Sequence, residues 1–499
     1  MSNESRETAP STKGPWTARA PSRDDAVAEG GAASGSSATA GGDVAAGEKV
    51  YVLDHNRDSL RQWFQQRDLP PYRADQVLNW VYRKVVADIE KMTDLPKDLR
   101  EALRRKLVVF RSDVVKESRA ADGVIKLLLE FPDGSETDKE AGRQGEGENG
   151  GRGDAGTRRR GDQETGRHGD RDTGRQGEGE TRVGPTMPDP RPPTPDPRCS
   201  MLDARCPTPE PRHPTPAQVE CVMIPQADRR TACLSTQAGC AMGCVFCASG
   251  MYGLECNLTS GEIVEQLLRL QVAVGPDKRM THVVIMGMGE PLANFDATVE
   301  AIYTINERWG FGLGARHITV STVGIPERIR QLADHNLQIN LAISLHAPTD
   351  ALRRRLVPAA SRVTINQIFD AARYYFDITG REITLEYVLL AGVNDHMTQA
   401  NQLAKLARTL RCSVNLIPFN PVEGLEYQRP GVEQVYAFQE VLRKAGVRTK
   451  VRKSRGVQAD AACGQLRRRA RQQTLDVRAG TGESLNWKTC RAGGMVTES

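Results

Sequence analysis

Apolar residues alternate between two spacings along most of the chain, and this alternation predicts repeated strand–helix units. Short apolar runs typical of buried strands are followed by longer segments whose apolar residues recur at helical spacing. The runs lie at 282–286, 317–321, 340–345, 384–389, 414–417 and 448–453. Repeated units of this kind predict an α/β fold with a parallel sheet, and their number suits a full or partial (β/α) barrel of TIM type.

A different pattern precedes these repeats and predicts a small helical domain over residues 49–112. Leu60, Trp63 and Phe64 recur at helical spacing, two prolines interrupt the pattern, and residues 77–82 begin a second helix. A third helix is expected after the turn at 92–96, with Leu103 and Leu107 on one face. Composition leaves two interpretations open, a packing domain and an RNA-binding accessory domain.

Two strands around a tight turn at 121–123 predict a β-hairpin extension made of residues 113–136 and 217–232. Between these two parts, residues 137–216 consist of Gly/Arg/Glu/Asp repeats and a Pro/Thr tract, which predict a disordered insertion. The polar segments 1–48 and 473–499 are expected to be tails. Residues 233–472 would form the barrel core.

Composition narrows the class of protein. The chain has 499 residues, room for two or three domains, and its net charge of +5 is compatible with an RNA partner. Eleven cysteines without a secretory signal indicate a reducing cytosol and metal or redox chemistry. Because no apolar run is long enough to span a bilayer, we expect a cytoplasmic protein without a membrane anchor.

The strongest chemical signal is a cysteine-rich loop. Cys240, Cys244 and Cys247 have the spacing C-x3-C-x2-C. Three thiolates are one short of the four that a closed structural site needs, so a [4Fe–4S] cluster held here would keep one iron open to a small ligand. A zinc knuckle with a distant fourth ligand and plain buried cysteines are the alternatives.

Polar residues at the ends of the predicted strands indicate an active site. They are Glu290, Ser321, Ser344, His346 and Asn420. The carboxyl ends of barrel strands meet at one face, where active sites of this architecture lie.

Several motifs together resemble the RlmN/Cfr family of radical S-adenosylmethionine (SAM) RNA methyltransferases. The resemblance covers roughly residues 51–136 and 216–466. The matching motifs, in chain order, are LPPYRADQVLNWVY, MTDLP, the cysteine loop, MGMGEPLAN, STVG, SLHAP, LIPFNP and DAACGQL.

The resemblance implies methylation of an adenine in 23S rRNA, at C2 in the RlmN branch and at C8 in the Cfr branch, with tRNA as a further substrate. It implies a [4Fe–4S] cluster and SAM as cofactors, and an external electron donor such as flavodoxin or ferredoxin. The shared motifs do not separate C2 from C8 methylation. A non-catalytic iron–sulfur or zinc RNA-binding module is the alternative from another class.

Three catalytic residues follow from the resemblance. Cys463 would accept a methyl group from one SAM, and a radical generated from a second SAM would activate that methyl group for addition to the adenine. Glu220 would then remove the C2 proton, and Cys233 would release the adduct as a disulfide with Cys463. From its position alone, Glu220 is expected to be an exposed strand carboxylate.

The resemblance also implies the SAM contacts. Gly289 and Glu290 would hold the amino group of SAM. Ser321 and the run Ser344, Leu345 and His346 would contact its ribose and carboxylate region. Asn420 would contact the adenine or its ribose.

Overall fold

The computed structural model describes residues 49–132 and 216–452, apart from Tyr252 and Glu423. The predicted tails, the predicted disordered insertion and Cys463 lie outside the described residues. Of the helices in these ranges, none combines the length and apolarity needed to cross a bilayer.

Three helices form the predicted N-terminal domain. They are α1 (Arg57–Gln65), α2 (Tyr72–Tyr82) and α3 (Lys97–Lys106). The side chain of Asn56 caps α1 by accepting hydrogen bonds from the amides of Asp58 and Ser59. The placement of Leu107 on the third helix is wrong: α3 ends at Lys106, and Leu107 begins strand β2 (Leu107–Val108), which pairs with β1 (Val50–Tyr51).

Ten strands form the main sheet. In chain order they are β3 (Asp113–Arg119), β4 (Ile125–Phe131), β5 (Ala217–Gln226), β6 (Arg229–Leu234), β9 (His282–Ile285), β10 (Ile318–Thr322), β11 (Asn340–Ser344), β12 (Ile383–Leu389), β13 (Cys412–Pro418) and β14 (Thr449–Val451). Two further strands, β7 (Gln237–Gly239) and β8 (Leu254–Asn257), form a separate hairpin after β6.

The sheet follows chain order from β3 to β14. The first four strands pair antiparallel, and from β6 onward every neighbouring pair is parallel. Each new strand is therefore added beside the previous one, as in a (β/α) barrel. Among the described strands no pairing joins β14 to β3, so the predicted partial barrel is confirmed.

Helices connect the parallel strands. They are α4 (Ser260–Val274), α5 (Phe295–Asn306), α6 (Pro326–Asp334), α7 (Asp350–Leu356), α8 (Ile365–Thr379), α9 (Met397–Ala407) and α10 (Val432–Lys444). A capping box between Thr259 and Glu262 fixes the start of α4. A side chain at Gly261 would clash with Asp54 and Tyr51, so glycine allows the N-terminal domain to pack closely against α4.

The β4–β5 hairpin spans the predicted insertion. Its pairing runs from Ile125 opposite Met223 to Phe131 opposite Ala217. The two strands therefore form a regular antiparallel pair even though 85 residues separate Phe131 from Ala217. The predicted boundary between extension and core, between residues 232 and 233, falls inside β6.

Candidate active site

The register of the sheet places a set of polar residues on one face. Residues paired across strands point to the same side, and so do residues two apart on one strand. Lys126 pairs with Val222, and Val222 pairs with Cys233, so Lys126, Glu220 and Cys233 share a face. Following the pairs further, Ser321, Ser344, Glu386 and Asn415 lie on that same face.

The cysteine loop lies at the carboxyl edge of this sheet, between β7 and β8. At its start Gly239 has a φ of +79°, and a Cβ there would stand 2.1 Å from the carbonyl oxygen of Gly253. Only glycine fits this position. The amide of Cys240 then donates to the Gly253 carbonyl over 2.8 Å, which closes the loop at its base.

The region after α7 holds the other side of the loop. The amide of Val245 donates to the carbonyl of Leu356 over 3.1 Å, and the amide of Ala359 donates to the carbonyl of Met242 over 3.4 Å. The three cysteines are therefore carried by a backbone that is fixed from two sides.

The three thiols lie close enough to influence one another. Burial raises the pKa of Cys240 to about 12, although the amides of Met242 and Gly289 donate toward its sulfur and oppose the rise. The pKa of Cys244 is raised well above its usual value by burial and by the neighbouring Cys247 and Cys240. These raised pKa values favour the neutral thiols. A bound cationic metal group would favour the thiolates instead, because metals bind the thiolate form.

The donor set fits an iron–sulfur cluster better than a single ion. Within residues 49–132 and 216–452, no three His, Cys, Asp or Glu side chains are grouped so as to hold one metal ion. In a cubane cluster each cysteine binds a different iron, so its thiolates stand further apart than the ligands of one ion. Among the described residues, the three cysteines of the loop therefore do not form a ready-made site for one ion.

Glu290 links the ends of two strands. Its carboxylate accepts hydrogen bonds from the amides of Leu292 at 3.0 Å and Val323 at 2.8 Å, and its own amide donates to Gln237. Burial raises the pKa of Glu290 despite these bonds. Gly289 has a φ of +96°, and a Cβ there would clash with Gln237, so glycine brings this turn against β7, the strand that leads into the cysteine loop.

The next two strand ends supply hydroxyl groups and a neutral histidine. The Oγ atoms of Ser321 and Ser344 are 3.2 Å apart. His346 accepts a hydrogen bond from the amide of Val388 through Nδ1, and its ring lies edge-on to Phe246 at 4.9 Å. Burial, followed by the charge of Arg353, lowers the pKa of His346 to about 3, so the ring is neutral at physiological pH.

The two remaining predicted SAM contacts are Leu345 and Asn420. Leu345 is fully buried, and its amide donates to the carbonyl of Glu386. The side-chain oxygen of Asn420, beyond β13, accepts a hydrogen bond from Arg429 at 2.8 Å. A contact of Leu345 with a ligand would therefore use its backbone.

Glu220 is not the exposed strand carboxylate that its position suggests. It lies on β5, one strand before β6, which enters the cysteine-loop region, and only 3% of the residue is exposed. One of its carboxylate oxygens lies 2.8 Å from Nζ of Lys126, whose side chain is equally buried. Cys233, on the adjacent strand, is also buried.

Four residues of the site were missed by sequence reasoning. Lys126, Glu386 and Asn415 lie on the polar face, where Nδ2 of Asn415 lies 3.2 Å from both carboxylate oxygens of Glu386. Arg353 is buried beside the cysteine loop. A charged residue inside an apolar strand run, as at Lys126 and Glu386, is the signal that could have identified two of them.

Comparison with known proteins places this geometry in a family. Residues 50–109 match the family model of the ribosomal RNA large subunit methyltransferase N-terminal domain, and residues 234–402 match that of the radical SAM superfamily. The first match covers the three N-terminal helices.

Relatives match the chain over most of its length. The chain is 36% identical to a protein of Rhodopirellula baltica over 84% of this chain and 91% of the relative. It is 38% identical to a protein of Gloeobacter violaceus over 84% of this chain and 95% of the relative. Both relatives are named "Probable dual-specificity RNA methyltransferase RlmN".

A solved structure agrees with these relatives. The crystal structure of a radical SAM methyltransferase from Sphaerobacter thermophilus matches with a TM-score of 0.65 at 34% identity, covering 83% of this chain and 98% of that chain. The predicted family resemblance is confirmed.

Proposed function

We propose that this chain, which belongs to the RlmN family of radical SAM RNA methyltransferases, methylates C2 of an adenine in 23S rRNA at the peptidyl-transferase centre. The name of the relatives, dual-specificity RNA methyltransferase, supports an adenine of the tRNA anticodon loop as a second substrate. The reaction would take place in the cytoplasm, with one electron supplied by a donor such as flavodoxin or ferredoxin.

The family uses a [4Fe–4S] cluster and SAM, and the chain offers ligands for both. Cys240, Cys244 and Cys247 would hold the cluster. Once bound and reduced, the cluster supplies the electron that cleaves SAM and makes radical chemistry available at an electrophilic carbon. The thiols fit this group because they lie near enough to affect one another, and because the amides of Met242 and Gly289 are directed at the Cys240 sulfur.

SAM would lie over the carboxyl ends of β9 to β13. Gly289 and Glu290 would receive its amino group, while the Ser321 and Ser344 hydroxyls and the neutral His346 would face its polar groups. Because the carboxylate of Glu290 already accepts two amide hydrogen bonds, we infer that this turn contacts SAM mainly through its backbone. Asn420 would contact the adenine end.

Proton removal and adduct release are assigned to the polar face of the sheet. Glu220, whose carboxylate lies 2.8 Å from Nζ of Lys126, would accept the C2 proton of the adduct. The unpaired electron of the adduct would return to the oxidised cluster. The thiolate of Cys233 would attack the sulfur of Cys463. A sulfur–sulfur bond then forms, the bond between Cys463 and the methylene carbon breaks, and that carbon takes a proton to become the methyl group. Thiol exchange would afterwards reduce the disulfide.

The single observation that carries the proposal is the shared face. Glu220 and Cys233 lie on the same side of one sheet as Ser321 and Ser344, next to the three-cysteine loop. A non-catalytic RNA-binding module gives no reason for a buried carboxylate and a buried thiol in this arrangement.

The decisive experiment identifies the modified nucleoside. Reconstituted enzyme is incubated anaerobically with SAM, dithionite and 23S rRNA that lacks the modification, and the digested RNA is analysed by mass spectrometry against both methyladenosine isomers. We expect 2-methyladenosine together with 5′-deoxyadenosine, and neither product with Cys244→Ala. The 8-methyl isomer would establish the Cfr-type alternative, and absence of 5′-deoxyadenosine would favour the non-catalytic module.

A further inference from the structure

Arg353 is a buried cation with unmet hydrogen-bonding capacity. It lies on α7, and only 1% of the residue is exposed. Nη2 donates to the carbonyl of Val323, but within the described residues Nε and Nη1 have no hydrogen-bond partner. Leaving a buried guanidinium donor unpaired is costly, so a missing partner is the simplest explanation.

The surroundings of Arg353 indicate where that partner lies. The end of α7 and the turn after it are bonded to the cysteine loop through Val245 and Met242. Of the ionisable groups near Arg353, Cys244 would act on its charge most strongly when ionised, followed by Asp350 and Glu290. These groups oppose the effect of burial, which lowers the pKa of Arg353 to about 10 and leaves the guanidinium charged at physiological pH.

The two carboxylates near Arg353 are engaged elsewhere. Asp350 accepts a hydrogen bond from the amide of Ile365 at 2.8 Å, and Glu290 accepts from two amides. Cys244 is a proposed cluster ligand, and a cysteine that binds a metal does so as the thiolate. A cluster bound through Cys244 is therefore the anionic group best placed to pair with Arg353.

We propose that Arg353 is a positioning residue for the iron–sulfur cluster, which directs a positive charge and N–H donors toward the Cys244 side and thereby raises the reduction potential. The proposal rests on the assignment of Cys240, Cys244 and Cys247 as cluster ligands. One-electron reduction adds negative charge to the cluster, and a buried cation stabilises the more negative state. Net charge and hydrogen bonds to sulfur are the usual means by which proteins tune such clusters.

The test is a redox titration of the reconstituted full-length protein without SAM, followed by electron paramagnetic resonance. Three variants are compared with wild type: Arg353→Met, Arg353→Lys and, as a matched control, Arg354→Met on the exposed side of the same helix. At the wild-type midpoint, we expect the reduced-to-oxidised ratio of Arg353→Met to fall at least tenfold. This corresponds to a shift of about 59 mV for a one-electron couple. Arg353→Lys should show a smaller shift, and Arg354→Met should match wild type.

Other outcomes would overturn the proposal or separate it from the assignment beneath it. If Arg353→Met keeps the wild-type potential and only SAM affinity weakens, Arg353 serves the SAM carboxylate and not the cluster. If Arg353→Met folds by circular dichroism but takes up no iron, the Arg353→Lys variant decides. Iron uptake by Arg353→Lys would support the need for a positive charge at this position. Failure of Arg353→Lys to take up iron would refute it. Wild-type protein without iron would refute the ligand assignment itself.

Discussion

Nζ of Lys126 lies 2.8 Å from a carboxylate oxygen of Glu220, and both side chains are almost completely enclosed by protein. The two residues belong to neighbouring antiparallel strands, with Lys126 opposite Val222 and Glu220 two positions earlier. A buried pair of this kind contributes little net stability, but removing one partner leaves the other charge buried without a counter-charge.

Lys126→Met should therefore be more damaging than an ordinary strand substitution. We expect the free energy of unfolding to fall by about 3–5 kcal/mol, because the Glu220 carboxylate loses its buried counter-charge. Chemical denaturation of the apoprotein measures this. The double variant Lys126→Met/Glu220→Gln should recover much of the stability but not the methylation. A single variant as stable as wild type would show that the pair does not matter for folding.

Replacing any cysteine of the proposed ligand set by alanine should remove most of the bound iron. Each substitution deletes one of three thiolates, and the loop has no fourth cysteine at the same spacing. Iron and sulfide analysis after anaerobic reconstitution measures the loss. Cys412→Ser is the matched control, since Cys412 lies on β13 and its thiol donates to the carbonyl of Ala407. Full iron loading in Cys244→Ala would contradict the assignment.

The two other proposed catalytic cysteines should fail in different ways. Cys463→Ala should keep its cluster and transfer no methyl group, because it has no sulfur to carry one. Cys233→Ala should form the covalent enzyme–RNA adduct and be unable to release it. A denaturing gel with and without ribonuclease distinguishes the two variants. If both or neither carry covalent RNA, the roles given to Cys233 and Cys463 are wrong.

Removing the insertion should leave the fold and the activity intact. Phe131 and Ala217 form the last pair of the β4–β5 hairpin, so a short turn can join the strands directly. We expect the free energy of unfolding to change by no more than about 0.5 kcal/mol when residues 137–216 are replaced by such a turn. Thermal unfolding and the methylation assay check this. A clear loss of stability would show that the segment packs against the core.

Acid should weaken the fold partly through a histidine pair. Nε2 of His282 and Nδ1 of His317 are 3.0 Å apart, so a positive charge on His317 opposes protonation of His282. Burial, Arg229 and His317 lower the pKa of His282 to about 4, below its usual value of 6.5. Between pH 6.5 and 4 the unfolded chain therefore binds more protons, and stability falls as pH falls.

The variant His282→Gln should lose less stability than wild type across that interval. Unfolding midpoints measured at several pH values between 7 and 4 test the difference. His335→Gln, at an exposed histidine on the same domain, should follow the wild-type curve. Parallel curves for wild type and His282→Gln would exclude a role for the pair.

Features that depend on local chemistry were predictable from the amino-acid sequence. Strand and helix periods predicted the partial barrel, because each element buries one face at its own spacing. The cysteine loop was recognisable because its three thiols and its glycines lie within a few residues of one another. The strand-end motifs and the family resemblance likewise reside in short contiguous segments.

Which charged residues are buried, and which groups they contact, became known from the folded chain. Lys126 stands in an apolar run, yet its partner Glu220 lies beyond the insertion, and only the pairing register of β4 and β5 brings them together. Arg353 is one of three consecutive arginines on α7, and the other two are exposed. The orientation of a short helix against a distant loop depends on long-range packing, which no local pattern encodes.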